Sequence, residues 1–223
     1  MSHYLTIIAS SSISTILLLA VTYIYCPEWI ERTKWRILGW GSSLAAIVSS
    51  VLVALIVVGS EQSQITSASL AISLSTMTFV TVQCLYTDFR YRKGDRWTLR
   101  TAIGLNLLSG GTLVLTSQGH QEKWMYTLLI LMSLILFLIP SLGKSDARAV
   151  LLSVLAVFPP TGTLGIQWGM LVMAMLLGIY GLLSIPKKQG LKGTLTTKVS
   201  IPMIPIIVGS FLIAEVCAVL PQG

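Results

Sequence analysis

The sequence predicts an all-α fold, a polytopic transmembrane bundle of about eight helices, and two observations predict it. The composition is 54% hydrophobic and only 10% charged, with a mean hydropathy of +0.82, whereas soluble domains carry about 25% charged residues. Most of the chain also consists of apolar stretches of about 18 or more residues, the length that crosses a bilayer as a helix. We therefore expect a single integral membrane domain covering residues 1–223.

Hydropathy divides the chain into eight candidate helices, with ends placed to within about 2–4 residues. They cover residues 4–25, 37–59, 67–87, 99–116, 124–142, 146–158, 162–185 and 199–220. No basic stretch of the kind found in signal peptides precedes the first segment, so we expect it to remain as a helix. Pro140 helps to end the fifth segment. The sixth is shorter than the roughly 20 residues of a straight span, so we expect it to tilt or to borrow residues from its flanks.

Basic residues mark one side of the predicted membrane protein. They fall at every second junction between the segments, and only Lys123 lies on the other side. The members on the common side are Arg32, Lys34, Arg36, Arg90, Arg92, Lys93, Arg96, Arg100, Lys144, Arg148, Lys187, Lys188, Lys192 and Lys198. Because Lys and Arg of short loops accumulate in the cytoplasm, we expect that side to be cytoplasmic, both termini to lie outside, and the membrane to be the plasma or inner membrane. Such scattered charges also argue against a nucleic-acid partner.

The three cysteines, Cys26, Cys84 and Cys217, lack the paired spacing of a structural zinc site, and their odd number argues against a disulfide framework. We expect them to be buried as small apolar side chains. The sequence therefore predicts no metal site and no cofactor.

The acidic residues fall into two groups. Five occupy predicted loops, where a solvated surface position explains them: Glu28, Glu31, Glu61, Asp95 and Glu122. Three others, Asp88, Asp146 and Glu215, touch apolar segments. An ionisable residue at a membrane helix is costly and is by default a functional candidate, and the charge pattern puts Asp88 and Asp146 on one cytoplasmic face. We interpret Glu215, on the opposite face, as a structural acid that snorkels or bonds between helices.

Two interpretations of Asp88 and Asp146 are open at this point. Each acid could be an interfacial carboxylate paired with a base such as Arg90, Arg92 or Arg148. Together they could form the pair of an aspartic protease, because two carboxylates in one site do not both ionise easily and one keeps a proton. The ionised member then takes a proton from water while the protonated member hydrogen-bonds the scissile carbonyl. Such a pair titrates as a coupled unit and needs no metal.

The surroundings of Asp146 resemble a motif of a known family. The chain reads Gly143-Lys144-Ser145-Asp146, followed by an apolar run that ends near Phe-Pro. This is similar to the Gly-x-Gly-Asp motif of the prepilin and preflagellin leader peptidases, membrane aspartic proteases that trim type IV pilin-like precursors. Lys144 occupies the variable position, and Ser145 stands where the family has its second glycine. A glycine at position 143 lets backbone or substrate approach closely.

Two further segments extend the resemblance to roughly residues 67–220. The first catalytic Asp of the family closes an apolar run and precedes a basic loop, as Asp88 does before Arg90. A Pro-Phe-x-Pro element precedes a late helix of the family, and here Pro202 and Pro205 stand in its place.

The resemblance implies a short-form aspartic peptidase whose catalytic residues are Asp88 and Asp146. The supporting residues that it implies are Gly143, Lys144, Ser145, Arg90, Pro202 and Pro205. The chain departs from the family at Gly94-Asp95, where Ile-Pro is usual, and it lacks the cysteine-rich cytoplasmic insertion of the larger members.

The expected function is a membrane-embedded aspartic endopeptidase that removes the N-terminal leader of pilin-like precursors at the cytoplasmic membrane face. Its partners would be the precursor and membrane lipid, with no nucleic acid. The alternative is a catalytically inactive relative that serves as a membrane scaffold of a pilus or secretion system, which Ser145 favours. A transporter is a weaker third interpretation, because carboxylates near helix breaks also bind protons and cations.

Overall fold

The computed structural model of the protein describes residues 2–57, 64–91, 94–117, 119–139, 143–184 and 203–219, and these form only helices and the loops between them. The helices are α1 (Ser2–Ile24), α2 (Arg32–Val57), α3 (Gln64–Tyr91), α4 (Arg96–Ser117), α5 (His120–Ile135), α6 (Lys144–Ser184) and α7 (Met203–Val219), with a 3-10 turn at Leu136–Leu138 after α5. The predicted all-α class is confirmed.

A sharp break divides α6. Pro159 and Pro160 remove two backbone N–H donors from the helix, and Gly162 adopts φ 66° and ψ −152°, a conformation that glycine takes without the steric cost of a side chain. The break separates two limbs, residues 144–161 and 163–184. These limbs correspond to the sixth and seventh predicted segments.

The second limb of α6 runs back along the first. A straight helix would separate Ser145 from Gly169 by about 36 Å. Ser145, however, lies beside Gly94, which also contacts Ile204 at the start of α7. Gly169 lies against Phe211, about two turns further along α7. Both limbs therefore pack beside the same helix, and the starts of α6 and α7 come together.

Helix α3 lies at the centre of the bundle. It packs against α1, α2, α4, α6 and α7, and 61% of its apolar stretch is buried, compared with 11% for α5. Its buried Met77 and Phe79 join Phe158 of α6 and Leu99 of α4 in the main core. Asp88, in the last turn of this central helix, is buried as well.

Five helices of the described chain are long and apolar enough to cross a membrane. Their candidate spans are Tyr4–Ile24, Arg32–Leu52, Gln64–Asp88, His120–Leu138 and Lys144–Ile179. Large apolar side chains also face outward, among them Leu138 at 78% exposure, Leu44 at 66% and Ile16 at 63%. Soluble monomers rarely expose apolar patches of this extent, so the structure is compatible with an integral membrane protein.

Candidate active site

Asp88 lies in the last turn of α3 and is only 7% exposed. The backbone N–H of Ile204 donates a hydrogen bond to its Oδ2 at 3.3 Å. This N–H is free to donate outward because the first turn of a helix has no internal acceptors for its N–H groups, and the positive end of the helix dipole favours a carboxylate. Pro205 fits the same turn because proline has no N–H to satisfy. Asp88 therefore ties the end of α3 to the start of α7.

Asp146 is the third residue of α6 and is half-buried. Its carboxylate accepts a hydrogen bond from the backbone N–H of Gly143, the residue that precedes the helix. An acid that reaches back in this way is one half of a capping box. A Cβ at position 143 would lie 2.8 Å from Oδ2 of Asp146. The missing side chain of Gly143 is thus what leaves room for the carboxylate.

The carboxylates of Asp88 and Asp146 occupy the same end of the bundle and interact electrostatically. Gly94 lies between the two sites, against Ile204, which donates to Asp88, and against Ser145, which precedes Asp146. Among the residues that the structure describes, Asp146 forms no ion pair. The structure therefore brings together the two acids that the sequence singles out.

Such a pair is suited to proton transfer. The negative charge of each carboxylate disfavours ionisation of the other. One member can then accept a proton from water while the other donates a hydrogen bond to a substrate oxygen.

The supporting residues of the predicted motifs differ in how far they are buried. Ser145 is half-buried, whereas Lys144 beside it is exposed. Arg90 is also exposed, and its guanidinium lies over the ring of its neighbour Tyr91. Pro202 lies outside the described residues. Of the supporting set, Gly143 lies against the carboxylate of Asp146, and Ser145 directly precedes Asp146 in the chain.

Asp95 is not the solvated loop residue that its position in the sequence predicted. It is 6% exposed and caps α4, accepting hydrogen bonds from the backbone N–H groups of Thr98 at 2.8 Å and Trp97 at 3.4 Å. Aspartate is among the strongest N-cap residues, and α4 accordingly begins at Arg96 instead of residue 99. An Asp directly before an apolar helical segment is the sequence signal for such a cap.

Gly94 and Ile204 complete the site but are outside the predicted set. A Cβ at Gly94 would overlap Cδ1 of Ile204 and would lie 3.5 Å from Cβ of Ser145, so a larger residue in the loop before α4 would displace the end of the Ile204 side chain. In the sequence, Gly94 is recognisable as an isolated loop glycine. Ile204 carries no sequence signal, because its role depends on a contact with Asp88, 116 positions away.

Glu215 is a buried acid at a distance from the pair. It is fully buried in α7 next to α3, so of the two predicted alternatives the structure agrees with the interhelical acid and not with the snorkelling one. The Ser73 hydroxyl of α3 interacts with its carboxyl, but no donor within the described part of the chain meets the geometry of a hydrogen bond with either oxygen. Along α7, Glu215 is about 16 Å from Ile204, too far to act with Asp88 directly.

The other predicted acids and cysteines follow the expectation in part. Glu28, Glu31 and Glu122 are exposed as predicted, and Glu61 lies outside the described residues. The free thiols differ in burial, with Cys84 buried, Cys26 partly buried and Cys217 exposed. The prediction that all three cysteines are buried is therefore wrong for Cys217, which lies on the outer surface of α7.

Comparisons with protein-family models, curated proteins and solved structures find no match for this chain. The resemblance to the leader peptidases rests on the motifs around Asp88 and Asp146. A functional assignment therefore depends on the residues of the site and their geometry.

Proposed function

We propose that this protein is a membrane-embedded aspartic endopeptidase with Asp88 and Asp146 as its catalytic pair. The observation that carries the proposal is that these two carboxylates lie at one end of the bundle, close enough to interact electrostatically. The Gly143 motif and the basic sequence after Asp88 support it through their resemblance to the prepilin and preflagellin leader peptidases.

The proposed topology has eight membrane segments with both termini outside the cytoplasm. The limbs of α6 count as two segments, because the break at Gly162 lets the second limb return. The end of the bundle that holds the acid pair is rich in basic residues, and such an excess marks the cytoplasmic side. Its described members are Arg32, Lys34, Arg36, Arg90, Arg96, Arg100, Lys144 and Arg148. The membrane is then the plasma or inner membrane.

In the proposed reaction, a water molecule attacks the carbonyl carbon of the scissile peptide bond. The ionised carboxylate accepts a proton from the water, and the protonated carboxyl hydrogen-bonds the carbonyl oxygen. The tetrahedral intermediate then collapses with cleavage of the C–N bond, and the leaving nitrogen takes a proton from the pair. The two acids end the cycle with one shared proton, as they began it.

The proposed substrate is the N-terminal leader of a pilin-like precursor. The basic leader of such a precursor would stay in the cytoplasm while the adjoining apolar helix lies in the bilayer. The bond to be cut, which follows a small residue, would then lie at the membrane face. The positions of Asp88 in the last turn of α3 and Asp146 in the first turn of α6 suit that depth.

The test is cleavage of candidate precursors by the full-length protein in proteoliposomes. Asp88→Asn and Asp146→Asn remove the proposed acid pair, and Asp95→Asn is the matched control, because asparagine caps a helix about as well as aspartate. We expect wild type and Asp95→Asn to cleave, and the other two variants to lose about 10³-fold or more of the rate. Uncut precursors with wild type, or equal cleavage by Asp146→Asn, would exclude the peptidase.

A catalytically inactive scaffold is the second candidate, and the hydrogen bonds of the two acids favour it. Asp88 holds the start of α7 through Ile204, and Asp146 caps α6 through Gly143, so each acid has a structural role that needs no substrate. A scaffold would bind a precursor equally well when either Asp becomes Asn, and the parent protein would not cleave it. Binding and cleavage measured on the same preparations distinguish the two functions.

A further inference from the structure

A cavity of about 620 Å³ opens beside the acid pair, at the same end of the bundle. Its walls come from the loop between α1 and α2, the residues that precede and open α4, and the first turns of α6. Charged and aromatic side chains dominate the lining, among them Arg32, Arg96, Arg148, Tyr25, Trp29 and Trp97. Its volume lies within the range of small-molecule sites, about 300–1,000 Å³.

The aromatic wall of the cavity is a stack that holds arginine side chains in place. The Trp97 ring stacks on Tyr25, with centroids 4.6 Å apart and ring planes at 20°. The guanidinium groups of Arg96 and Arg100 lie 5.6 Å and 5.1 Å from the Trp97 ring centre, within the range of cation–π attraction. Arg96 is therefore held in the cavity lining, and Arg100 is held on the same Trp97 ring next to it.

Three arginines concentrate positive charge at the cavity and beside it. Arg148 of α6 interacts electrostatically with Arg96 and Arg100 of α4, and like charges at short range repel. Within the described part of the chain, none of these three arginines forms a salt bridge. Asp95 also lines the cavity, but both of its oxygens accept hydrogen bonds from the first turn of α4. Glu28, the other acid of the lining, is exposed.

We propose that this cavity binds a phosphate group, held between the guanidinium groups of Arg96 and Arg148. Arginine presents N–H donors in a planar fork that matches phosphate oxygens and binds them with two parallel hydrogen bonds. An anion placed between the two side chains replaces their mutual repulsion with attraction to a common partner.

An anionic phospholipid is the nearest source of such a group. Ile24 and Tyr25, which line the cavity at the end of α1, are 69% and 42% exposed. They continue the apolar outer surface of α1, along which acyl chains would lie. Tyr and Trp side chains are typical of the headgroup level of a membrane, and basic pockets at that level bind anionic headgroups. A soluble phosphate compound is the other source of the same chemistry.

The test measures binding of dioleoyl-phosphatidylglycerol to the full chain in a non-ionic detergent by native mass spectrometry, with dioleoyl-phosphatidylcholine as the reference lipid. Arg96→Gln and Arg148→Gln remove the proposed ligands, and Arg148→Lys keeps the charge but not the fork. Arg36→Gln is the matched control, because Arg36 is exposed at the same end of the bundle and does not line the cavity. A second arm titrates sodium phosphate against sodium chloride at equal ionic strength and follows thermal unfolding.

We expect phosphatidylglycerol to bind at least about tenfold more tightly than phosphatidylcholine, and each cavity Arg→Gln variant to weaken that binding about tenfold or more. Arg36→Gln should change it less than about threefold. If phosphate stabilises the protein through the same arginines without lipid selectivity, the phosphate site stands with a soluble ligand. Equal losses in Arg36→Gln and the cavity variants, or no saturable binding of either probe, would overturn the proposal.

Two further readouts keep the test decisive. Thermal unfolding in phosphatidylcholine identifies any Arg→Gln variant that fails to fold. In that case Arg148→Lys is compared with wild type instead. Its affinity for phosphatidylglycerol should lie between those of wild type and Arg148→Gln. Asp146→Asn removes a negative charge near the cavity and no proposed ligand, so it should bind phosphatidylglycerol at least as tightly as wild type does. The site is thus tested independently of peptidase activity.

Discussion

Oδ2 of Asp88 accepts a hydrogen bond from the backbone N–H of Ile204 at 3.3 Å, and this bond joins the end of α3 to the start of α7. It gives Asp88 a structural role beside its proposed chemical one. The two roles are separable, because an amide oxygen can replace a carboxylate oxygen as a hydrogen-bond acceptor but not as a proton acceptor.

Asp88→Asn should therefore abolish precursor cleavage while lowering the free energy of unfolding by less than about 1 kcal/mol. Asp88→Ala should abolish cleavage and also cost about 1–3 kcal/mol, because the buried N–H of Ile204 loses its acceptor. Chemical denaturation in detergent and a cleavage assay measure the two effects. Equal stability of the Asn and Ala variants would show that the bond to Ile204 contributes nothing to folding.

Gly143→Ala should lower the cleavage rate much more than it lowers the free energy of unfolding. The new Cβ would lie 2.8 Å from Oδ2 of Asp146, so the carboxyl must turn away, and a displacement of about 1 Å can cost about 10²-fold in rate. Gly119→Ala is the control, since Gly119 is the N-cap of α5 and a Cβ there meets nothing within 4 Å. Both changes should cost about 0.5–1 kcal/mol of stability. Wild-type cleavage by Gly143→Ala would contradict the assigned role of Asp146.

Gly94→Ala should destabilise the protein by about 1–3 kcal/mol through overpacking, because the new methyl group overlaps Cδ1 of Ile204. Ile204→Val removes that atom and should cost about 0.5–1.5 kcal/mol in the parent protein. The double variant should be more stable than the sum of the two costs predicts, by about 0.5–3 kcal/mol. The free energies of unfolding of the parent, the two single variants and the double variant form a double-mutant cycle. If the costs of the two single changes simply add in the double variant, the contact between this loop and α7 is ruled out.

Glu215→Leu should leave the free energy of unfolding unchanged or raise it. The carboxyl is fully buried, and among the described residues no donor meets the geometry of a hydrogen bond with it. An apolar side chain of similar size removes the cost of burying a polar group. Ser73→Ala, at the neighbouring position of α3, is the companion variant and should change stability by less than about 1 kcal/mol. Thermal unfolding and cleavage are both measured. A stability loss above about 2 kcal/mol, or loss of cleavage, would show that Glu215 has a partner or a function.

The features that could be predicted are those that depend on residues close together in the sequence. The helical class follows from apolar segments long enough to cross a bilayer, and the break in α6 follows from Pro159, Pro160 and Gly162 within four positions. Asp95 shows the limit of this approach, because a polar residue before a helix fits both a solvated loop and a buried cap. The local pattern does not distinguish them, since burial depends on what packs above the helix end.

Composition and segment length were sufficient to predict the all-α class and helices long enough to cross a membrane, and the spacing of the basic residues was sufficient to group Asp88 with Asp146. Only the tertiary structure decided how the acids are held. The contact of Gly94 with both Ile204 and Ser145 joins loop, α6 and α7, and the cavity of Arg96 and Arg148 joins α4 and α6. The physical reason is that periodicity and propensity act over a few residues, whereas packing couples residues far apart in the chain through shape alone.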